Sequence, residues 1–153
     1  RSYVSFMSGM KGSPITLQVE LPCALETQSV PRFTLQPLLE NAIQHGFIKG
    51  KPLHLTVSFS QQFAEGMLCI RVVNDGKPID PQRREELNAY LAQPQPASAG
   101  QGVGLSNIRR RLMLFYGECV SLRVASGADC TSVTILLPIT KEKGRSVHEG
   151  TDR

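Results

Sequence analysis

Two glycines one residue apart, Gly102 and Gly104, stand directly before a segment with helical periodicity. Apolar residues then recur at spacings of three and four, at Leu105, Ile108, Leu112 and Phe115. This spacing predicts a helix whose apolar face packs on a core. The residues before it, 92–101, lack periodicity and predict a loop. Free backbone N–H groups at such a junction favour an anion, although the glycines can also simply end a loop.

The composition is typical of one globular domain outside the membrane. The 153 residues are 41% hydrophobic, and no apolar run approaches the roughly 20 residues of a membrane helix. The net charge is +4, but basic and aromatic residues do not alternate, so nucleic acid is not an expected partner. Four cysteines without a C-x-x-C pair predict free thiols and no zinc site. Because the chain begins with Arg1, we expect it to be part of a longer protein.

Strand-like and helix-like segments alternate along the chain. Strands are predicted at 14–22, 53–59, 67–73, 120–125 and 131–137, and helices at 30–46, 81–91 and from the glycine pair to residue 116. Asp80 and Pro81 have the residue types of an N-cap and a first helical position, and Pro37 is expected in a first turn or at a bend. This order predicts an α/β fold, a two-layer sandwich with a mixed five-stranded sheet and three helices on one face.

The same patterns divide the chain into three parts. Residues 1–13 are interpreted as a connector remnant in which Gly9 and Gly12 disfavour a helix. Residues 14–138 form the predicted domain. Residues 139–153 are polar and are expected to be disordered.

Polar residues are concentrated in two further motifs. The predicted helix 30–46 ends in Leu-Leu-Glu-Asn-Ala-Ile-Gln-His-Gly, in which Asn41 and His45 share a face and Glu40 lies on the adjacent one. A solvated helix face would give the same pattern. The second motif, Asn74-Asp75-Gly76, follows an apolar strand and predicts a turn. A polar side chain at such a strand end can face a pocket and bind the edge of a base.

In this order, the three motifs resemble the ATP-binding domain of the GHKL superfamily, which includes histidine kinases and gyrase. The asparagine motif and the G-x-G-L-x-N-x-R-x-R-L run are most similar to those of LytS-type sensor histidine kinases. The resemblance covers about residues 14–138. It implies a Bergerat-type α/β sandwich with ATP and Mg²⁺ as cofactors.

The resemblance also implies roles for single residues. Asn41 would supply an oxygen ligand to Mg²⁺, and Glu40 would orient or deprotonate the accepting histidine. A solvated or arginine-paired Glu40 remains the alternative. His45 would reach the phosphates or order the pocket. The further nucleotide contacts implied are the phosphate-facing Gly102, Val103, Gly104 and Leu105, the helix residues Asn107 and Arg109, and Thr131 near the adenine.

Two departures from the family pattern lower the expected ATP affinity. The usual adenine motif is Asp-x-Gly-x-Gly, but Asn74 stands in the Asp position and Pro78 replaces the second glycine. An amide oxygen accepts a hydrogen bond from the adenine amino group more weakly than a carboxylate does. Asp75 would substitute after a shift of one residue, so both Asn74 and Asp75 remain candidates, with Gly76 beside them. Gln44 occupies a position where many kinases have lysine.

The implied function is the ATP–Mg catalytic domain of a two-component sensor histidine kinase. It would transfer the γ-phosphate to a histidine on a separate dimerisation domain, since none of its own histidines lies in a phosphoacceptor hairpin. Loop 92–101 is expected to become ordered when nucleotide binds. The alternatives are a GHKL ATPase or anti-sigma-type serine kinase, and a weak or non-catalytic nucleotide-sensing module. The adjacency of Glu40 to Asn41 favours the kinase over the ATPase.

The same resemblance implies partners and a location. The partners would be the dimerisation domain and, through the parent protein, a response regulator. We expect a monomeric cytoplasmic domain, and a homodimeric parent in the inner membrane of a bacterium.

Overall fold

The structure is a computed structural model that describes residues 2–26, 30–31, 34–62, 66–93 and 103–139, with the backbone alone for 2–6 and 103. The elements are α1 (Ser2–Lys11), β1 (Ile15–Glu20), α2 (Leu35–Gly46), β2 (Leu53–Gln62), β3 (Met67–Asn74), α3 (Pro81–Ala92), α4 (Val103–Tyr116), β4 (Ser121–Ser126) and β5 (Thr131–Pro138). Short 3₁₀ turns cover Cys23–Leu25 and Gly117–Cys119. The five predicted strands and three predicted helices are all present.

The strands form one mixed sheet in the order β1-β2-β3-β5-β4. β1 is parallel to β2, and the other neighbours are antiparallel. A buried row crosses four strands at Val57, Val72, Val133 and Val124, whereas the next row, Ser58, Arg71, Thr134 and Arg123, is at least partly exposed. Helix α2 packs on β2 and β3, and α3 and α4 pack on β4. The predicted two-layer sandwich with a mixed sheet is therefore confirmed.

Helix α2 is shorter than predicted. It begins at Leu35, not Val30, and ends at Gly46 as expected. Pro37 is its third residue, in the first turn, where backbone N–H groups have no partner within the helix and proline is tolerated. The buried side chains Leu38, Ala42 and Ile43 then place the polar face of the helix away from the sheet.

Helix α4 has a different buried face from the predicted one at its C-terminal end. Leu105, Ile108 and Leu112 are buried, but Phe115 is 69% exposed. The prediction that Phe115 faces the core is wrong, because the buried stripe continues four residues after Leu112, at Tyr116, which packs against the core. The helix ends at Tyr116, as predicted, and Gly117 follows with φ 71°.

Helix α1 forms where the glycines disfavoured a helix. It packs beside β1, and the Ser8 hydroxyl accepts a hydrogen bond from the Ile15 N–H at 2.9 Å and donates one to the Ser13 carbonyl at 3.1 Å. These tertiary contacts outweigh the low helix propensity of glycine. In α3, Asp80 caps the predicted N-terminus by accepting from the N–H groups of Gln82 and Arg83 at 3.0 and 3.3 Å.

Some sequence predictions fall on residues outside the described ranges. They concern most of the loop 92–101 and the tail from residue 140. Within the described residues, no helix has both the length and the apolar character needed to cross a membrane.

Candidate functional site

The C-terminal end of α2 lies directly against the turn that follows β3. The Lys77 N–H donates to the Gly46 carbonyl at 2.8 Å. A Cβ added to Gly46 would lie 2.5 Å from Asn74 Oδ1, and one added to Gly76 would lie 1.9 Å from the Gly46 carbonyl oxygen. A side chain at Gly76 would therefore collide with backbone, and one at Gly46 would displace the buried Asn74 side chain. This close approach joins the first two sequence motifs.

Asn74 is the last residue of β3, and its side chain is buried beneath α2. It is 5% exposed, and its Oδ1 accepts a hydrogen bond from the Gly76 N–H at 3.2 Å. Thr131 pairs with Asn74 in the sheet register, and its hydroxyl lies 2.8 Å from that of Ser126. The structure thus places Thr131 beside Asn74 in the sheet.

Asp75 points away from α2, towards the exposed face of the sheet. Its Oδ1 accepts from the His54 N–H at 2.7 Å, and its Oδ2 lies 2.6 Å from His54 Nδ1. Burial of the Asp75 carboxyl raises its pKa, but the hydrogen bonds from His54 and the charge of that ring more than offset this, so the pKa lies below its ordinary value. Of the two candidates for contacting adenine, Asn74 is the one on the α2 side.

Asn41 and Gly104 bring the third motif to the first. A Cβ added to Gly104 would have Asn41 Oδ1 as its nearest neighbour in the described structure, at 3.9 Å, which is an ordinary van der Waals distance. Leu105 is 3% exposed and belongs to the core, whereas Asn107 is exposed. Gly102 lies outside the described residues, as does the side chain of Val103.

The charged and polar candidates lie on α2 and α4, the two helices that meet at Asn41 and Gly104 to form the junction of the motifs. Glu40 is half-buried and accepts a hydrogen bond from Gln36 Nε2 at 2.9 Å, so its partner among the described residues is an amide and not an arginine. His45 is exposed on the same helix. Arg109 donates to the Gln93 carbonyl at 2.8 Å, which links α4 to the end of α3. The Arg109 guanidinium is therefore bonded to a backbone carbonyl in this structure.

The site suits a nucleotide-bound Mg²⁺ better than a metal held by protein alone. The described residues contain no group of three or more His, Cys, Asp or Glu side chains that would hold a metal. Mg²⁺ prefers hard oxygen ligands and usually keeps water and phosphate oxygens, so a single amide oxygen from Asn41 is compatible with it. Asn41 is half-buried and lies beside the open position at Gly104.

Sequence reasoning missed two features of this site. Gly46 was interpreted only as a helix end, although it contacts the Asn74–Lys77 turn. His54 was not singled out, because nothing near it in the sequence marks a partner. The only available signal was the β2–β3 register: Leu55 pairs with Asn74, which brings His54 beside Asp75.

The fold and the junction of three motifs define an ATP-binding domain of the GHKL class. The sequence model of the family described as "Histidine kinase-, DNA gyrase B-, and HSP90-like ATPase" matches residues 28–141. The chain belongs to this family.

The relatives with similar sequences include a sensor protein and a sensor histidine kinase. The chain is 29% identical to the sensor protein LytS of Bacillus anthracis over 90% of its length and 23% of that protein. It is 32% identical to the sensor histidine kinase YesM of Bacillus subtilis over 74% of its length and 18% of that protein. The predicted resemblance to LytS-type histidine kinases is thereby confirmed. The chain spans less than a quarter of the length of these relatives.

Solved structures show the same fold. The catalytic domain of the histidine kinase ThkA, in a nucleotide-free form, aligns with a TM-score of 0.62 at 15% identity, over 92% of this chain and 89% of that one. The blue-light activated histidine kinase of Erythrobacter litoralis aligns with a TM-score of 0.58 at 24% identity, over 93% of this chain and 41% of that one. The predicted fold class is therefore confirmed.

Proposed function

We propose that this chain binds ATP with Mg²⁺ and acts as the catalytic domain of a sensor histidine kinase. It would donate the γ-phosphate to a histidine on a separate dimerisation domain of its parent. The observation that carries the proposal is the meeting of the three motifs, since Asn41 faces Gly104 while Gly46 lies against the Asn74–Gly76 turn.

Each part of the junction suits one part of the nucleotide. Asn74, buried at the strand end beside Thr131, would bind the adenine edge, because its Oδ1 retains a second lone pair after accepting from Gly76. The exposed backbone at Gly104 in the first turn of α4 would face the phosphates, where unpaired N–H groups and the helix dipole favour negative charge. Asn41, whose Oδ1 lies beside Gly104, would hold the metal.

Bound Mg²⁺ would neutralise phosphate charge, and the chain would otherwise contribute by positioning the nucleotide. Glu40 lies one residue from Asn41 and is bonded only to Gln36 among the described residues. Its second carboxylate oxygen can accept a proton or a hydrogen bond from an incoming imidazole. We also propose that the parent protein is a dimer and acts on a response regulator, and that this domain lies in the cytoplasm.

Calorimetric titration with a non-hydrolysable ATP analogue, with and without Mg²⁺, tests the binding step. We expect binding by the wild-type chain to require Mg²⁺ for full affinity. Asn41→Ala is expected to abolish the Mg²⁺ effect, since it removes the proposed ligand oxygen. Asn74→Ala is expected to weaken binding about tenfold both with and without Mg²⁺, since it removes the adenine contact.

Gln62→Ala is the matched control, because Gln62 is an exposed amide residue of β2 that pairs with Met67, at the opposite end of β3 from Asn74. It should bind the analogue with wild-type affinity. No binding by the wild-type chain at millimolar analogue would contradict the proposal and favour a non-catalytic module.

Phosphorylation of an added phosphoacceptor domain from ATP, lost in Glu40→Gln, tests the transfer step. Steady phosphate release without that domain would favour an ATPase instead.

A further inference from the structure

The Asn74–Lys77 turn is fixed from two sides of the sheet. On the inner side, α2 holds it through the Lys77 N–H bond to the Gly46 carbonyl and the contact of Asn74 with Gly46. On the outer side, β2 holds it through His54. Successive strand residues point to opposite faces, so Asn74 can lie under the helices only while Asp75 points outwards.

Three hydrogen bonds join Asp75 to the single residue His54. The Asp75 N–H donates to the His54 carbonyl at 3.3 Å, the His54 N–H donates to Oδ1 at 2.7 Å, and the ring Nδ1 lies 2.6 Å from Oδ2. The carboxylate therefore bonds both the backbone and the ring of the same partner. This geometry fixes the orientation of the peptide that follows Asn74.

We propose that His54 and Asp75 are positioning residues for the nucleotide site, and that their bonds hold the Asn74 side chain in the orientation that binds the base. This inference rests on the proposed function. Neither side chain touches the nucleotide: the pair is on the outer face and acts through the backbone of residues 74–76. The His54 side chain is 58% exposed and that of Asp75 is 44% exposed. The pair therefore contributes little to the overall stability and mainly restricts the turn.

Graded variants test the pair in the full chain. Asp75→Ala removes both carboxylate bonds and should weaken binding of the ATP analogue about tenfold. His54→Ala removes only the ring contact and should have a smaller effect. Asp75→Asn restores binding to within about threefold of wild type, because an amide still accepts from the His54 N–H and donates to an unprotonated ring.

Amide hydrogen exchange reports on the turn without nucleotide. In Asp75→Ala, the N–H groups of Gly76 and Lys77 should exchange at least about tenfold faster than in the wild type, because their bonds to Asn74 and Gly46 open more often. Amides in the middle of β5 should be unchanged. Glu20→Ala is the matched control, since Glu20 accepts a hydrogen bond from Gln18 at 3.0 Å on the same exposed face and lies away from the turn. It should leave affinity and exchange as in the wild type.

The outcomes separate this inference from the proposed function. Wild-type affinity in Asp75→Ala, or unchanged exchange at Gly76 and Lys77, would overturn the positioning role alone. A loss in Asp75→Asn equal to that in Asp75→Ala would also overturn it, because the conservative variant keeps the bonds. Failure of the wild-type chain to bind any nucleotide would reject the proposed function and, with it, this role of the pair.

Discussion

The two glycine-bearing regions of the site differ in what surrounds their glycines. At Gly46 and Gly76, protein atoms occupy the space that a side chain would need, within 2.5 and 1.9 Å of the added Cβ. At Gly104, the nearest atom of the described residues is 3.9 Å from the added Cβ. The first region is therefore closed by the protein itself, and the second leaves its backbone accessible. Glycine at the first serves packing, whereas the structure gives no packing reason for glycine at the second.

The largest effect should come from the closed region. Gly76→Ala would place a Cβ against the Gly46 backbone, which cannot move without shifting α2, so we expect a loss of about 3 kcal/mol in the free energy of unfolding. Gly127→Ala is the control, because its Cβ would meet no atom of the described chain within 4 Å and its φ is not positive. Urea unfolding should show a change below about 0.5 kcal/mol for the control. Similar stabilities of the two variants would contradict the closed packing.

A substitution at Gly104, in the accessible region, should weaken ATP binding without lowering the free energy of unfolding. Gly104 is the second residue of α4 and has no positive φ, so Gly104→Ala should leave the free energy of unfolding equal or raise it by about 0.5 kcal/mol. The same change should weaken ATP binding about tenfold, since a methyl group would keep the phosphates from the backbone. Wild-type affinity in a stable Gly104→Ala would show that no phosphate approaches this position.

The comparison also explains which features the sequence alone could predict. Local patterns were sufficient for the strands, for the Asp80 cap and for the end of α4 at Gly117. The exposure of Phe115 was mispredicted, because spacings of three and four both fit a helical face until packing selects one. The predicted start of α2 at Val30 was wrong: Pro37 lies in the first turn of the observed helix, which begins at Leu35. Helix α1 depends on bonds between Ser8 and the chain near Ile15, which no local propensity encodes.

Candidate residues for the site could be selected from the sequence, but their arrangement could not. The order of motifs identified Asn41, Asn74 and Gly104, and the fold brings their elements together. The choice of Asn74 over Asp75 for the α2 side depends on the sheet register, which pairs Leu55 with Asn74. Shifting that register by one residue would exchange the two side chains between faces. Long-range pairing of this kind is not visible in a single sequence.

The smallest expected effect concerns the contact of Asp75 with His54, on the outer side of the closed region, and it depends on pH. The pKa of Asp75 is lowered in the folded protein, so the carboxylate stabilises the fold fully above the ordinary value of about 3.9, and this contribution is lost as the pH falls through the lower folded value. We expect wild type to exceed Asp75→Asn in stability by about 0.5 kcal/mol near pH 5, with the difference disappearing towards about pH 2. Urea unfolding across this range measures it. Asp129→Asn is the control, since Asp129 is exposed and has no hydrogen bond or ion pair with the described residues. A difference that grows on acidification would contradict the contact with His54.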